Sequence, residues 1–570
     1  HQQSVWNYRP EDGAPVSAWW REDVIYQIYP RSFADSDGDG MGDLPGATSR
    51  LGYLRDLGVD AVWLSPFYTS PQADAGYDVA DYRDVDPRLG TLADFDLLMA
   101  RATELGLRVI VDLVPNHCSD EHPWFEAALA AGPGSPERAR FHFRDGRGPA
   151  GSLPPNNWMS VFGGPAWTRV VGPDGPEQWY LHLFDSKQPD WDWTNPGVQA
   201  EFESVLRFWL DKGVAGFRVD VAHGLVKKAG LPDHPGEQHA LAGVSAERDE
   251  TAEPLPTNSS PYWDQDGVHE IYRSWRAVLD SYAGPQRILC AEAWVTPTER
   301  MARYLRPDEM HQAFAFDFLE SHWDATQLRD AITRDIAALA PVGASCTWVL
   351  SNHDVVRHAS RLGLDQTLPR PHGITAEDPQ PDRALGLRRA RAATMAMLAL
   401  PGAAYLYQGE ELGLPEHTAL PAEVRQDPAF HRTSGLETGR DGCRVPLPWA
   451  AAAPGFGFSP TGASWLPQPK DWAEYAVDAQ LGVPESTLEL YRLLLALRHA
   501  HRLGAGTLDW DNSYDPATVI AWRIAGVHVL VNLGADPVTV PSGYRVVACS
   551  GELTADGQVP LDTAVWSIAD

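Results

Sequence analysis

Lysine is nearly missing from this chain. Of 46 basic residues only five are lysine, a mark of a GC-rich genome, and the 77 acidic residues leave a formal net charge of −31. Such a surface repels phosphate backbones and anionic lipid, which excludes nucleic acid and membrane surfaces as partners. Cysteine is sparse too: Cys118, Cys290, Cys346, Cys443 and Cys549 make an odd set without a CxxC pair. That excludes a disulfide framework, a zinc ribbon and a thioredoxin-like redox site, and a reducing compartment is expected. No long apolar run exists. The longest, from Ala392 to Tyr407, contains Thr394 and is broken by Pro401 and Gly402, too short and interrupted to span a membrane. The opening residues HQQSVWNYRP show no charged segment followed by an apolar one, so the expectation is a cytoplasmic protein without a signal peptide. No glycine-rich phosphate loop sits at a strand–helix junction, and no organic cofactor is expected.

What is present is an ordinary globular mixture, 44% hydrophobic and 22% charged, with a surplus of tryptophan (22 residues) read first as core packing. Eight short apolar runs recur: 24–30, 60–66, 108–114, 214–220, 287–292, 313–318, 346–352 and 403–409. Near-continuous apolar runs of this length are what strands buried on both faces require. Amphipathic segments separate them, among them 47–58, 92–106, 196–213 and 388–402. Eight such alternations predict an α/β protein, a (β/α)8 TIM barrel. A Gly-, Pro- and Trp-rich stretch after the third strand predicts a small inserted domain, and a Pro/Gly-rich excursion follows the eighth strand from about 410 to 478. Loops after the strands build the active face of such barrels, so both insertions belong there. A helix over 486–502 closes the barrel, and the remainder alternates as an antiparallel β domain should. The expected boundaries are 1–116 with 191–502 for the barrel, 117–190 for the insertion and 503–570 for the C-terminal domain.

Charged residues gather at the ends of the buried runs. Asp112 ends the third, with Asn116 and His117 just beyond; Arg218 and Asp220 end the fourth, Glu292 the fifth, and His353 and Asp354 the seventh. One Asp after a strand is usually a helix cap. Four neighbouring strands ending this way place carboxylates together over the barrel mouth. Converging carboxylates suit glycoside cleavage, in which one attacks or stabilises an oxocarbenium-like centre and another protonates the leaving oxygen. Like-charge crowding raises at least one pKa, and Arg218 is expected to keep Asp220 ionised. A second cluster, DSDGDGMGD, sets Asp35, Asp37, Asp39 and Asp43 at alternate positions with the Met41 carbonyl between. Alternate oxygen ligands with interleaved glycines suit a hard cation.

The motifs DLVPNH (112–117), GFRVD (216–220), AEAW (291–294) and SNHD (351–354) occur in order with GYDVADY (76–82), FGGPAW (162–167), QPDWD (188–192) and GRDGCRVPLPW (439–449). Together they resemble the α-amylase family of retaining glycoside hydrolases, in its α-glucosidase and oligo-1,6-glucosidase branch, from about Trp19 onward. The resemblance implies Asp220 as nucleophile, Glu292 as general acid and base, and Asp354 as the third carboxylate, on the 2- and 3-hydroxyls. It implies Arg218 orienting Asp220, and His117 and His353 hydrogen-bonding the sugar. Asp78 and Arg440 would grip a terminal glucose, with Tyr77 and Phe162 stacked on it, and Asp112 would be structural. It also implies a structural Ca2+ (or Mg2+) on Asp35, Asp37, Asp39, Met41 and Asp43. The function implied is a retaining, exo-acting α-glucosidase that takes terminal non-reducing glucose from maltose and short malto-oligosaccharides through a covalent glucosyl-enzyme. Oligo-1,6-glucosidase and transglucosylase are the alternatives. A trehalose synthase fits the VAHGL context less, and intact carboxylates count against a non-catalytic scaffold. Val221 after the nucleophile goes with α-1,6 cleavage in this branch, whereas VAHGL resembles maltose-acting actinobacterial enzymes. QPDWD departs from the usual QPDLN at Trp191 and Asp192, a change that could alter the acceptor side. Small α-glucosides are the expected partners, for a monomer or small homo-oligomer.

Overall fold

The computed structural model describes residues 16–235 and 255–570. Eight strands form one sheet: β1 (Val24–Ile28), β2 (Ala61–Leu64), β3 (Arg108–Leu113), β4 (Gly216–Val219), β5 (Ile288–Ala291), β6 (Gln312–Ala313), β7 (Thr347–Val349) and β8 (Ala403–Tyr407). Their order is β6-β5-β4-β3-β2-β1-β8-β7, every pairing is parallel, and a bridge from Phe314 to Thr347 joins the two ends into a barrel. Helices α1 (Leu51–Leu57), α2 (Leu92–Glu104), α3 (Pro196–Asp211), α4 (Val268–Asp280), α5 (Ala325–Leu339), α6 (Arg383–Leu398) and α7 (Thr487–His501) surround it. Local chemistry sets their ends. Thr91 and Asp94 form a reciprocal capping box at the start of α2. Asn195 caps α3 ahead of Pro196. Gly58 ends α1 at φ 106°, a left-handed turn that glycine enters without steric cost. Helix α3 buries Val198, Phe202, Val205, Leu206, Trp209 and Leu210 along one stripe, each contributing about 2 kcal/mol of hydrophobic stabilisation.

The interior follows the strand period of two. Ile25, Trp63, Ile110, Ile288, Cys290, Phe314, Val349 and Tyr405 form one inner cluster. Two residues past Cys290 on the same face comes Glu292; past Gly216 come Arg218 and Asp220. Thus the alternation that fills the barrel also delivers the charged groups to its C-terminal mouth. Gly216 is required here, because a Cβ at that position would lie 2.3 Å from the Ile288 carbonyl oxygen.

One run differs from its sequence reading. AFAFDF alternates as a strand should, yet β6 stops at Ala313 and a helix begins at Phe316. The Phe316 ring leaves the sheet to lie flat on Trp294, centroids 3.7 Å apart and 4° from parallel, and a helical turn buries Phe318 and Leu319 as well. The insertion after β3 carries a helix (Pro123–Ala131) and a three-stranded antiparallel sheet of 143–144, 175–181 and 167–172. The segment after β8 winds back over the mouth in short 3-10 turns. At the C-terminus five antiparallel strands form a sheet on α6. Trp522 and Trp566 anchor it, donating indole N–H bonds to the carbonyls of Ala399 (2.9 Å) and Met395 (3.0 Å).

Candidate active site

A cavity opens at the barrel mouth, lined by Asp74, Tyr77, His117, Phe184, Asp220, Val221, Glu292, Trp294, His353, Asp354 and Arg440. Arg218, fully buried, is its hub. One guanidinium nitrogen donates to Asp220 (2.7 Å) and to Asp112 (3.1 Å), while the other lies 3.8 Å from Glu292. Asp112 also accepts from the Trp63 indole and the Tyr77 hydroxyl, both at 3.0 Å. It is a brace for Arg218 and Tyr77, and it does not line the cavity. Val221 turns at φ 47°, uncommon for a β-branched residue, and its N–H faces a Glu292 carboxyl oxygen at 3.4 Å.

Burial raises the pKa of Asp220 against the pull of Arg218, and raises that of Glu292 well above the carboxylate range. The expectation that Arg218 simply keeps Asp220 ionised therefore needs amending. Desolvation and neighbouring carboxylates push both groups toward their neutral forms. The contact from Arg218 is shorter to Asp220 (2.7 Å) than to Glu292 (3.8 Å), so the guanidinium favours the charged form of Asp220 more than that of Glu292. Asp354 behaves oppositely. Burial opposes its charge, but His353, Arg440 and Arg444 hold it well below the usual range. Of these, the arginines are the permanent cations, each donating to one Asp354 oxygen (3.0 and 3.2 Å), because burial keeps His353 neutral.

One side of the cavity wall is built on Arg440. Its guanidinium donates to Asp74 (3.0 Å), to Asp354 (3.0 Å) and twice to Asp427 (2.7 and 3.0 Å). Here the structure corrects the sequence reading. Asp78 is not Arg440's partner. Fully buried, it accepts backbone N–H bonds from Ala73 (2.7 Å) and Asp74 (3.0 Å), capping the turn that aims Asp74 into the cavity. ADAGYD offers two aspartates four residues apart, and only the turn decides which one faces inward. Phe162 is likewise displaced: it sits behind the wall, 5.3 Å from the Arg440 guanidinium carbon and edge-on to Phe184, and Phe184 meets the cavity instead. Tyr77 does line it, its ring parallel to His353 at 5.2 Å. His117 and His353 both reach the wall. The Nδ1 atoms face the side-chain amide nitrogens of Asn116 (3.1 Å) and Gln27 (2.8 Å) respectively. Trp191 faces away from the cavity, stacked on Phe141 at 4.6 Å, and Asp192 turns back on Thr194. The QPDWD departure thus serves the junction between insertion and barrel rather than the acceptor side.

Sequence reasoning missed Asp74, Asp427, Arg444, Phe184, Trp294, Gln27 and a buried pair, Lys227–Asp190, at 2.9 Å. Asp190 lay in a quoted motif, and Arg444 followed GRDGC in another. Nothing local marked Asp427 or Lys227.

The acidic loop after β1 brings the carboxylates of Asp35, Asp37 and Asp39 within 4.8 Å of one another, a hard-oxygen set that fits Ca2+ or Mg2+. Asp43 is already engaged: it caps the helix 44–49 through Gly46 N–H (2.7 Å) and also accepts from Ser36. Met41 donates its N–H to Asp39 (2.8 Å).

This geometry can now be set beside known proteins. Residues 27–505 match the alpha-amylase catalytic domain. The chain belongs to the α-amylase family. A probable alpha-glucosidase from Rhizobium meliloti (strain 1021) is 40% identical over 504 residues, 85% of this chain and 84% of that protein. An oligo-1,6-glucosidase from Parageobacillus thermoglucosidasius is 34% identical over 551 residues, 90% and 89% of the two chains. Among solved structures, the alpha-glucosyl transfer enzyme XgtA superposes with a TM-score of 0.82 at 35% identity, covering 97% of this chain and all of that one. The trehalulose synthase MutB from Pseudomonas mesoacidophila MX-45 gives 0.81 at 29% identity, over 98% of this chain and all of that one. Among the described residues of this α-amylase family member, no helix is long and apolar enough to cross a membrane.

Proposed function

We propose that this protein is a retaining, exo-acting α-glucosidase acting on maltose and short malto-oligosaccharides. The observation that carries the reading is the charged cluster around Arg440 in the cavity wall. Asp74, Asp354 and Asp427 converge on Arg440 there, a set fitted to grip a terminal glucose and to stop a chain from continuing. Asp220 attacks the anomeric carbon as Glu292 gives its proton to the leaving oxygen. Glu292, now a carboxylate, then takes a proton from water, and that water displaces Asp220 from the glucosyl-enzyme. Asp354, kept anionic by Arg440 and Arg444, accepts ring hydroxyls, and neutral His117 and His353 border the same sugar. Arg218 bonds Asp220 at 2.7 Å and lies 3.8 Å from Glu292, so both carboxyls are gathered around one guanidinium.

Val221 and Trp294 line the same cavity beside the acid, and both bear on which linkage or acceptor is taken. They favour keeping α-1,6 cleavage and transfer to a sugar acceptor as the second reading. A divalent cation on Asp35, Asp37 and Asp39 is proposed as structural. Thr461 and Trp465, from the segment after β8, bond the carbonyls of Gly38 (2.7 Å) and Gly40 (2.9 Å) and tie that loop to the mouth.

Proton NMR with maltose and then isomaltose tests the proposal. α-Glucose appearing first, and faster from maltose, is expected. Faster release from isomaltose moves the linkage to α-1,6, and β-glucose appearing first refutes retention.

A further inference from the structure

The buried Lys227 lies outside the catalytic set, yet its contacts run to the cavity wall. Its ammonium donates to Asn116 Oδ1 at 2.9 Å and to the Gly224 carbonyl, and pairs with Asp190 at 2.9 Å. An ammonium only donates, so the Asn116 atom facing it must be the carbonyl oxygen. The Asn116 amide nitrogen then faces His117 Nδ1 at 3.1 Å and Asp190 Oδ2 at 3.3 Å. Turning this amide over would set N–H against ammonium and oxygen against carboxylate, so the pair fixes its orientation twice. His117 Nδ1 must therefore accept, and the ring proton sits on Nε2, which rests on the Tyr77 carbonyl at 3.1 Å along the cavity wall. Three parts of the fold meet in this relay: Asn116 and His117 after β3, Lys227 after β4, and Asp190 from the end of the insertion, bridged to His117 through the backbone.

We propose that Lys227 is a positioning residue for the reaction: through the Asn116 amide it fixes His117 as the neutral Nε2–H tautomer, bonded to the Tyr77 carbonyl, and so holds the ring in place at the cavity wall against the sugar. The inference rests on the reading that His117 touches substrate. Burial supports the relay, since it lowers the Lys227 ammonium and raises the Asp190 carboxyl, making each dependent on the other. It also keeps the His117 ring neutral, down at about 3.

The test uses full-length protein labelled with 15N at the histidine rings, His117 being identified among the 19 histidines by its loss in His117→Asn. Without substrate, His117 is expected to show an unprotonated Nδ1 and a protonated Nε2 from pH 5 to 9. The variant Lys227→Met/Asp190→Asn removes both charges together. It should show mixed tautomers and a KM for an aryl α-glucoside raised roughly tenfold, the scale of one lost hydrogen bond, with kcat changed no more than about twofold. Lys227→Arg, which keeps the cation, should restore the single tautomer. A protonated Nδ1 in the wild type overturns the proposal, and this reading stands even if the double variant fails to fold. A folded double variant with unchanged spectrum and KM overturns it as well. Mixed tautomers with unchanged KM would refute the contact between His117 and sugar while leaving the relay in place.

Discussion

Asp74 and Asp78 offer a sharp comparison, because the same turn assigns them opposite duties. Asp74 lies in the cavity wall, 3.0 Å from Arg440, whereas Asp78 is spent on the backbone N–H groups of Ala73 and Asp74. Asp74→Asn removes from the pocket a carboxyl whose pKa burial raises to about 7 against the pull of Arg440, but leaves Arg440 with Asp427 and Asp354. A hydrogen bond to a charged group contributes about 1.5–3 kcal/mol, so kcat/KM should fall roughly 10- to 150-fold, with little change in Tm. Asp78→Ala instead strands two buried backbone donors, each costing about 1–3 kcal/mol, and the loss should appear as a lower Tm. Whatever activity it loses follows from the turn that no longer aims Asp74. Steady-state kinetics on an aryl α-glucoside, with thermal unfolding of the same preparations, separates the two. The assignment is refuted if Asp74→Asn is kinetically silent while Asp78→Asn, at full Tm, loses substrate affinity.

Asp220→Asn and Glu292→Gln should each lower kcat by several orders of magnitude, and an activated aryl leaving group should rescue only the Glu292 variant, since it needs no proton. Acid stability should depend on Asp427. Its pKa is held far below normal because the adjacent Arg440 outweighs burial, so its contribution is complete above the unfolded value of about 3.9 and fades as pH falls below it. Asp427→Asn should lower Tm at pH 7, and the gap to wild type should close toward pH 2. EDTA should lower Tm and added Ca2+ restore it, with kcat at 25 °C unchanged; a kcat that tracked the metal would place the cation in the chemistry.

The barrel was legible because its evidence is local. Eight buried runs, with helices whose ends are marked by residues such as Gly58 and Asn195, need no long-range information. Asp220 and Glu292 were legible for the same reason: each directly follows a strand, and strand parity carries 216 to 220 and 290 to 292 onto one face, whereas Asp354 lies in a turn beyond Val349 and was marked only by its SNHD motif. The wall around Arg440 was not legible, because it belongs to loops. Asp74 versus Asp78 is decided by one turn, Phe184 versus Phe162 by the packing of the insertion, and the bond between Arg440 and Asp74 spans 366 residues. AFAFDF misled because its alternation fits a strand equally well, and only the Trp294 ring explains why Phe316 leaves the sheet. Lys227 gave no sign of its role, since a buried cation is recognised by its partners, and these come from two other segments.

The bond between Arg440 and Asp74 also bears on order in time. During synthesis Asp220, Glu292 and Asp354 all leave the ribosome before Arg440 does, and Asp74 precedes them all. The groups proposed to break the glycosidic bond are thus encoded ahead of the group proposed to limit how far a sugar chain enters. A lineage could exchange the segment after β8, and with it the depth of the pocket, without rewriting a codon of the catalytic trio.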